Sequence, residues 1–253
     1  MRKKTKPATG PYLLYLDLLR ERVPSFEQFP YALPALCNLE RLAFHPKVTF
    51  LVGENGTGKS TLLEALAVSV GLNPEGGSRN FNFATRASHS ELDRCIRVGK
   101  TINLARDSYF LRAESFYNVA TEIERLGIEL LPYGGQSLHE RSHGESFFAL
   151  FQHRFKGNGL YLMDEPEAAL SPKRQLEFLT ILHEYCKQGA QFVIATHSPI
   201  IMAYPDACIY VLDEAGTREV PYQKTDHYLI TRGFLANPQR TLNELLSDSE
   251  PPA

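Results

Sequence analysis

The sequence has little of what would mark a disulfide-rich, zinc-binding or membrane-spanning protein. It has four cysteines, which lie far apart and form no C-x-x-C pair, so neither a disulfide framework nor a zinc site is indicated. No apolar run is long enough for a membrane helix, and the N-terminus carries no apolar signal region. We therefore expect a cytoplasmic protein with reduced cysteines and no direct membrane insertion.

An excess of charge of one sign is also missing. The chain has 27 Lys and Arg against 29 Asp and Glu, a net charge of −2, so binding to nucleic acid is possible but not indicated by charge. The one dense basic cluster lies within residues 1–11, which we expect to form a flexible tail. Residues 12–253 are long enough for a single domain, and the 43% hydrophobic content of the chain supports a sizeable core.

One glycine-rich stretch carries the strongest signal. Residues 53–61 match the phosphate-binding loop (P-loop) pattern G-x-x-x-x-G-K-[ST] at every fixed position. An apolar, β-branched run at 48–52 precedes the loop and a helical stripe at 61–70 follows it, which is the strand–loop–helix context that the motif needs. The predicted nucleotide-binding residues are Gly53, Glu54, Asn55, Gly56, Thr57, Gly58, Lys59, Ser60 and Thr61.

The loop also predicts separate roles for two of its side chains. Lys59 would reach the β- and γ-phosphates, and the Ser60 hydroxyl would bind Mg²⁺. The backbone N–H groups and the helix N-terminus would supply the rest of an anion site. A glycine turn before an ordinary helix is the alternative.

Two further strand ends carry polar residues suited to nucleotide hydrolysis. An apolar run at 159–163 ends in Asp164 and Glu165, and another at 191–196 ends at His197. Asp164 would hold Mg²⁺, Glu165 could act as general base toward water, and His197 could reach the γ-phosphate or that water. The alternative for the two acids is a helix cap or a surface turn. The alternative for the histidine is a core or capping role. Because ligand groups collect at the carboxyl ends of parallel strands, we favour a site shared with the P-loop.

The order of predicted strands and helices indicates a parallel α/β core with an antiparallel layer added before the P-loop. Besides the three strands above, we expect strands at 12–19 and 37–44, and a hairpin formed by 208–212 and 217–222. Weaker patterns suggest short strands at 80–83 and 102–104 and a helix at 120–130. The remaining predicted helices are 145–155, 171–188 and 237–246.

Three shorter motifs complete an order that resembles one family. Residues 142–146 (S-H-G-E-S) open a predicted helix 22 residues before Asp164, as the signature motif of ABC-type ATPases does. Residues 168–171 (A-A-L-S) resemble their D-loop, and His197 resembles their switch histidine. The chain thus resembles an ABC-type ATPase domain over residues 48–199. More narrowly, it resembles small stand-alone bacterial AAA/ABC-like ATPases of the OLD-like and SMC-like branch.

The resemblance implies a P-loop NTPase of the ABC type, with a mostly parallel core sheet flanked by helices and a helical signature subdomain. This subdomain would be inserted at about residues 72–158, and residues 200–253 would form a C-terminal hairpin and helix. ATP and Mg²⁺ would be the cofactors of a homodimer that packs head to tail and sandwiches two ATP molecules. Ser142 and Gly144 would contact the γ-phosphate held by the other chain. A capping box between Ser142 and Glu145 is the alternative, and both can hold at once.

The chain also departs from transporter-type members of this family. Those members carry a more glycine-rich signature and a Mg²⁺-ligating glutamine ahead of it, whereas residues 59–135 contain no glutamine. Glu114 is a candidate replacement, with an Arg112–Glu114 surface pair as the alternative. The adenine-stacking aromatic is unassigned, and Tyr31 and Phe44 are candidates because they precede the P-loop.

Three functions fit these patterns. We favour Mg²⁺-dependent hydrolysis of ATP to ADP and phosphate by a soluble dimer that acts as a switch on an unidentified protein effector. One alternative is a DNA-repair or phage-defence module that controls a nuclease or effector. The other is the nucleotide-binding subunit of an ABC transporter, against which the missing glutamine and the altered signature count.

Overall fold

Two sheets, one largely parallel and one antiparallel, contain the strands that can be described. The structure is a computed structural model that describes residues 10–78, 90–113, 121, 125 and 143–247. The described strands are β1 (Leu13–Leu18), β2 (Arg41–Ala43), β3 (Val48–Val52), β4 (Gly77–Ser78), β5 (Ile96–Lys100), β6 (Asp107–Arg112), β7 (Gly159–Asp164), β8 (Gln191–Ala195), β9 (Ala207–Asp213) and β10 (Gly216–Glu219). The described α-helices are α1 (Pro34–Cys37), α2 (Lys59–Ser69), α3 (His143–Ala149), α4 (Pro172–Lys187), α5 (Asp226–Ala236) and α6 (Pro238–Leu246).

The main sheet brings the predicted site residues to one edge. Within the described residues its strand order is β10-β9-β3-β8-β7-β6-β4. The five central strands are parallel, and β10 and β4 pair antiparallel at the two ends. Strand β3 therefore lies next to β8, and β8 lies next to β7. The carboxyl ends of these three strands carry the P-loop, the two acids and His197, so the sequence-based expectation of a shared sheet edge is confirmed.

Side chains alternate across the main sheet and build a core on each face, as a sheet covered on both sides requires. In β3, Phe50 packs into the core formed with α3 and α4, whereas Leu51 packs into the core formed with α2 and the antiparallel layer. In β7, Tyr161 and Leu162 divide in the same way. Burial on both faces explains why these strands are continuous apolar runs in the sequence.

The three-stranded antiparallel sheet, β2-β1-β5, is the layer expected before the P-loop, and a buried glutamine fixes it to the main sheet. The Gln191 side chain accepts hydrogen bonds from Tyr12 N and Leu13 N, both at 2.8 Å. It donates to Leu13 O at 2.9 Å and to His45 O at 3.0 Å. Gln191 is fully buried at the start of β8, so one side chain joins both sheets to the turn before β3.

Several helix predictions are confirmed with small changes at their ends. The helix predicted at 171–188 is α4, whose Ser171 Oγ caps the first turn by accepting from Arg174 N at 3.4 Å. The helix predicted at 145–155 is α3, which continues as a π-helical segment over Leu150–Arg154. The last predicted helix is α6.

Other predictions are wrong. The strand predicted at 37–44 begins later, because Pro34 starts the short helix α1, which reaches Cys37. Residues 102–104 are not a strand, and the side chain of Ile102 is fully exposed there. The strand of this region is instead β5, which pairs with β1.

Some predictions lie outside the described residues. They are the strand at 80–83, most of the helix at 120–130 and most of the tail at 1–11. Gly10, at the end of that tail, donates to Gly189 O at 3.1 Å. Within the segment 72–158, β5 belongs to the antiparallel layer and β6 to the main sheet. None of the helices in the described ranges combines the length and apolar character of a membrane span.

Candidate nucleotide site

The P-loop has the backbone form that its glycines predict. It leaves β3 at Gly53, where a Cβ atom would lie 2.2 Å from Leu212 O of β9, so only glycine fits this close approach. Gly56 and Gly58 adopt φ angles of 81° and 105°, which side-chain-bearing residues rarely adopt. Gly58 is also the N-cap of α2, and the loop therefore delivers the chain directly to a helix N-terminus.

Lys59 lies folded against the loop that it follows. Its Nζ donates to Gly53 O at 2.7 Å and to Glu54 O at 2.9 Å, and the residue is buried. Burial lowers the pKa of the Lys59 ammonium, while the nearby carboxylates of Glu165 and Asp164 oppose that shift. The Lys59 ammonium is therefore held beside the acids at the end of β7, where it could bind a phosphate that enters the loop.

Ser60 and Asp164 meet across the cleft between α2 and β7. Ser60 Oγ donates to Asp164 Oδ1 at 3.0 Å. Burial raises the pKa of Asp164 to about 6, although the Arg112 guanidinium works in the opposite direction. Oxygen donors of this kind suit Mg²⁺, so the pair fits the ion that the sequence predicts. No group of three or more His, Cys, Asp or Glu side chains that could hold a metal occurs in the described residues.

Arg112 is a cation at this site that the sequence analysis placed elsewhere. It ends β6 directly opposite Asp164 in the strand register, and its Nε lies 3.6 Å from Asp164 Oδ2. Its Nη1 donates to Glu64 Oε2 and to Pro74 O, both at 3.1 Å. Arg112 thus joins β6 to α2 and to the acid on β7. The suggested partner Glu114 lies outside the described residues.

Glu165 has a strained backbone at the end of β7. Its φ of 51° and ψ of 55° are left-handed, and no other described non-glycine residue has a positive φ. Such a conformation costs about 1 kcal/mol or more and occurs most often where function requires it. Glu165 N donates to Ala195 O of β8 at 2.9 Å, which fixes the turn. The carboxylate is partly exposed, and its Oε1 lies 3.5 Å from His197 Nε2.

Two neighbours hold His197, and neither is predicted from the sequence. The backbone N–H of His197 donates to Glu167 Oε1 at 2.5 Å, and its Nδ1 lies 3.3 Å from Nε2 of His227 in α5. Burial lowers the pKa of both imidazoles and raises the pKa of the Glu167 carboxyl. Helix α5 could have been found from its cap, because Thr225 Oγ1 accepts from Tyr228 N at 3.3 Å.

Comparisons with known proteins indicate the family. A family model described as "AAA domain, putative AbiEii toxin, Type IV TA system" matches residues 137–203, and a model described as "AAA domain" matches residues 26–125. The Cytochrome c biogenesis ATP-binding export protein CcmA of Mesorhizobium japonicum is 30% identical over 164 residues, which cover 59% of this chain and 78% of that protein. The chain belongs to the ABC-type P-loop ATPases.

Further relatives extend the likeness over most of the chain. An uncharacterized ABC transporter ATP-binding protein of Haemophilus influenzae is 27% identical over 221 residues, 79% of this chain and 81% of that protein. The solved structure of cbiO1 from Clostridium perfringens, part of the ABC transporter complex cbiONQ, covers 93% of this chain and 99% of its own. Its TM-score is 0.51 at 18% identity, so this likeness concerns the fold of an ABC-type ATPase domain.

The described part of the predicted signature motif lies against the predicted D-loop of the same chain. Gly144 is in the first turn of α3, and a Cβ atom on it would lie 2.9 Å from Ala169 O. The glycine thus permits close contact between the two motifs. Ser142, the other signature residue expected to bind nucleotide, lies outside the described residues.

Neither aromatic candidate for stacking on adenine offers a ring face. Tyr31 is 5% exposed and its hydroxyl lies 3.3 Å from Cys95 Sγ; Phe44 is 8% exposed. Both pack in the core beneath the antiparallel layer, so that suggestion is wrong. An open cavity of about 310 Å³ instead lies beside the P-loop. It is lined by Pro34, residues 52–57, residues 211–214, Asp226 and His227.

Proposed function

We propose that this chain binds ATP with Mg²⁺ and hydrolyses it to ADP and phosphate. The observation that carries the proposal is the convergence of Lys59, Ser60, Asp164, Glu165 and His197 at the ends of three adjacent parallel strands. The family membership supports the same reaction. Phosphoryl transfer depends on positioned charges rather than on covalent chemistry by the protein, and this set supplies them.

Each side chain has a role that follows from its place. Lys59 binds the phosphates. The oxygens of Ser60 and Asp164 would hold Mg²⁺, which would supply positive charge to the phosphate oxygens. Glu165 accepts the proton of the attacking water; its partly exposed carboxylate can be reached by water, and its turn is fixed by the bond to Ala195 O. His197 orients the water or the γ-phosphate from the neighbouring strand.

We further propose that two cytoplasmic copies pack head to tail and share two ATP molecules. Ser142 and Gly144 of one chain would complete the P-loop site of the other, as part of a helical signature subdomain at about residues 72–158. The partial exposure of the Glu165 carboxylate supports a site that a second surface closes. Nucleotide-dependent closure would then act on a protein effector.

A substitution of Glu165 by glutamine tests the proposed hydrolysis. Glu165→Gln should lower the rate of phosphate release by at least about 100-fold while ATP still binds, because only the proton acceptor is lost. Glu177→Gln is the matched control, since Glu177 is a partly exposed residue on α4 that pairs with Arg174. Hydrolysis at the wild-type rate by Glu165→Gln would show that Glu165 is not the base.

Mixing two inactive variants tests the shared site. Lys59→Ala removes the phosphate ligand and Ser142→Arg blocks the signature, so each variant alone should be inactive. In an equal mixture about a quarter of wild-type activity should return, because half of randomly paired dimers are mixed and each has one intact site. No recovery in a mixture shown to form mixed dimers would contradict a site shared between chains.

The names of the relatives favour a transporter subunit as a second candidate. Both similar proteins of known sequence named above are described as ATP-binding proteins of export or ABC transport. The missing glutamine in residues 59–135 counts against this role. Co-purification of the tagged chain with an integral membrane protein from its source would support the transporter role over the switch.

The description of one family model favours a defence-type module as a third candidate. The model matched over residues 137–203 is described as a putative AbiEii toxin of a type IV toxin–antitoxin system. The net charge of −2 argues for a protein target rather than direct binding to nucleic acid. A gel shift with ATP present, repeated at two salt concentrations, would separate these targets.

A further inference from the structure

His227 occupies a place beside the reaction site that the proposed mechanism does not use. It is the second residue of α5, and its Nε2 lies 3.3 Å from Nδ1 of His197. The two rings have centroids 5.5 Å apart and planes inclined by 49°, so they are tilted and not stacked. His227 also lines the cavity beside the P-loop, next to Gly53 and Glu54.

The contact constrains the imidazole ring of His197. A neutral imidazole has one donor nitrogen and one acceptor nitrogen, so whichever role Nδ1 takes toward His227, Nε2 takes the other. Nε2 of His197 lies 3.5 Å from Oε1 of Glu165, the proposed general base. Glu167 holds the backbone of His197, whereas His227 contacts its ring and can hold the ring rotation.

Helix α5 is tied to the segment that follows His197. Tyr222 Oη donates to Pro199 O at 2.8 Å, and the Tyr222 ring packs on Tyr228 of α5 with centroids 4.7 Å apart. Thr225, the buried N-cap of α5, donates through Oγ1 to Tyr222 O at 2.8 Å. The base of α5 therefore has a fixed position relative to the His197 strand end, as an orienting contact requires.

We propose that His227 is a positioning residue for His197, holding the ring in the orientation with which His197 meets the γ-phosphate or the attacking water. The inference rests on the proposed ATP hydrolysis. In this proposal, α5 affects the reaction through His197 and does not contact the reacting atoms. Such an orienting partner acts on the rate of the chemical step and leaves ground-state binding unchanged.

Two substitutions separate the hydrogen bond from the packing. His227→Phe keeps a ring of similar size but removes the nitrogen, and we expect kcat to fall about 10- to 100-fold, with KM for ATP unchanged within about twofold. His227→Gln places an amide near the position of Nε2 and should recover most of that loss. His183→Phe is the control, because His183 Nδ1 makes a similar contact, 3.1 Å from Tyr204 Oη, on α4.

A spectroscopic measurement tests the contact without nucleotide. In protein labelled with ¹⁵N-histidine, His227→Phe should move the ring-nitrogen signals of His197, and His183→Phe should leave them in place. Wild-type kcat in His227→Phe, or unmoved His197 signals, would overturn the proposal. So would a glutamine variant as slow as the phenylalanine variant. If the wild-type chain releases no phosphate, the proposed hydrolysis fails, and the ring signals alone decide whether His227 orients His197.

Discussion

Arg112 and Asp164 lie opposite each other at the ends of two neighbouring parallel strands, with Arg112 Nε 3.6 Å from Asp164 Oδ2. The same guanidinium binds Glu64 on α2, so one cation serves two carboxylates of which little is exposed. The Arg112 guanidinium therefore offsets part of the cost of burying Asp164, although burial still raises the pKa of this acid to about 6.

Substitution of this arginine should be costly for stability. Arg112→Met keeps the length of the side chain but leaves two largely buried carboxylates without their cation, and we expect a loss of about 2–4 kcal/mol in the free energy of unfolding. Arg94→Met is the matched control, because the Arg94–Glu91 pair is exposed and should contribute less than about 0.5 kcal/mol. Urea unfolding measures the free energy of unfolding of both variants. Equally small decreases in the two would contradict the role given to Arg112.

The buried Gln191 should be equally important for joining the two sheets. Gln191→Met preserves volume but removes the side-chain partner of four backbone groups: Tyr12 N, Leu13 N, Leu13 O and His45 O. We therefore expect the free energy of unfolding to fall by about 2–4 kcal/mol. Gln223→Met, at an exposed position, should change the free energy of unfolding by less than about 0.5 kcal/mol. A Gln191 variant as stable as this control would show that the backbone groups find other partners.

Asp17 should make stability depend on pH in the acidic range. Hydrogen bonds from Arg41, and then from Arg97, lower the pKa of Asp17 to about 2 from an ordinary 3.8. A carboxyl whose folded pKa is depressed contributes stability above its unfolded pKa, and this contribution is lost as the pH falls toward the folded pKa.

The matching substitution is Asp17→Asn. Because both arginines are more than half exposed, we expect the free energy of unfolding to fall by only about 1 kcal/mol at neutral pH. The difference in this free energy between the variant and wild type should shrink below about pH 4. Glu21→Gln, an exposed position, is the control. A difference that stays constant from about pH 7 to about pH 3 would contradict the assignment of this effect to the Asp17 charge.

The turn after β7 should depend on Glu167. Glu167→Ala removes the acceptor of the His197 N–H, and we expect a loss of about 1–3 kcal/mol in the free energy of unfolding. Glu167→Gln keeps an acceptor oxygen and should be much milder. Denaturant unfolding distinguishes the two, and an alanine variant as stable as the glutamine variant would exclude a structural role for this hydrogen bond.

The features that the sequence predicts correctly are local. The apolar strands 48–52, 159–163 and 191–196 are buried on both faces, so their composition alone identifies them, and the residues that follow them share a sheet edge by topology. Strand β5 could also be predicted from the sequence, since Ile96–Lys100 alternates between apolar and polar residues as far as Gly99. The strand predicted at 102–104 rests instead on Ile102 and Leu104, which are exposed.

The features that the sequence does not predict are contacts between distant segments. Gln191 meets Leu13, Arg112 meets Glu64, and Glu167 meets His197 through single side chains that no periodic pattern marks. Helix α5 has no buried residue along its described length, and its apolar residues Leu229, Ile230 and Leu235 are exposed. Its cap at Thr225 predicts a helix but does not reveal that His227 lies beside His197.

Phosphate release from ATP by the purified chain is the most direct test of the central claim. We expect the wild-type protein to release phosphate only when Mg²⁺ is present, and Lys59→Ala to reduce that rate by at least about 100-fold, because the phosphate ligand and its charge are lost. Absence of Mg²⁺-dependent release by a folded wild-type chain, or an equal rate in Lys59→Ala, would contradict ATP hydrolysis at this site.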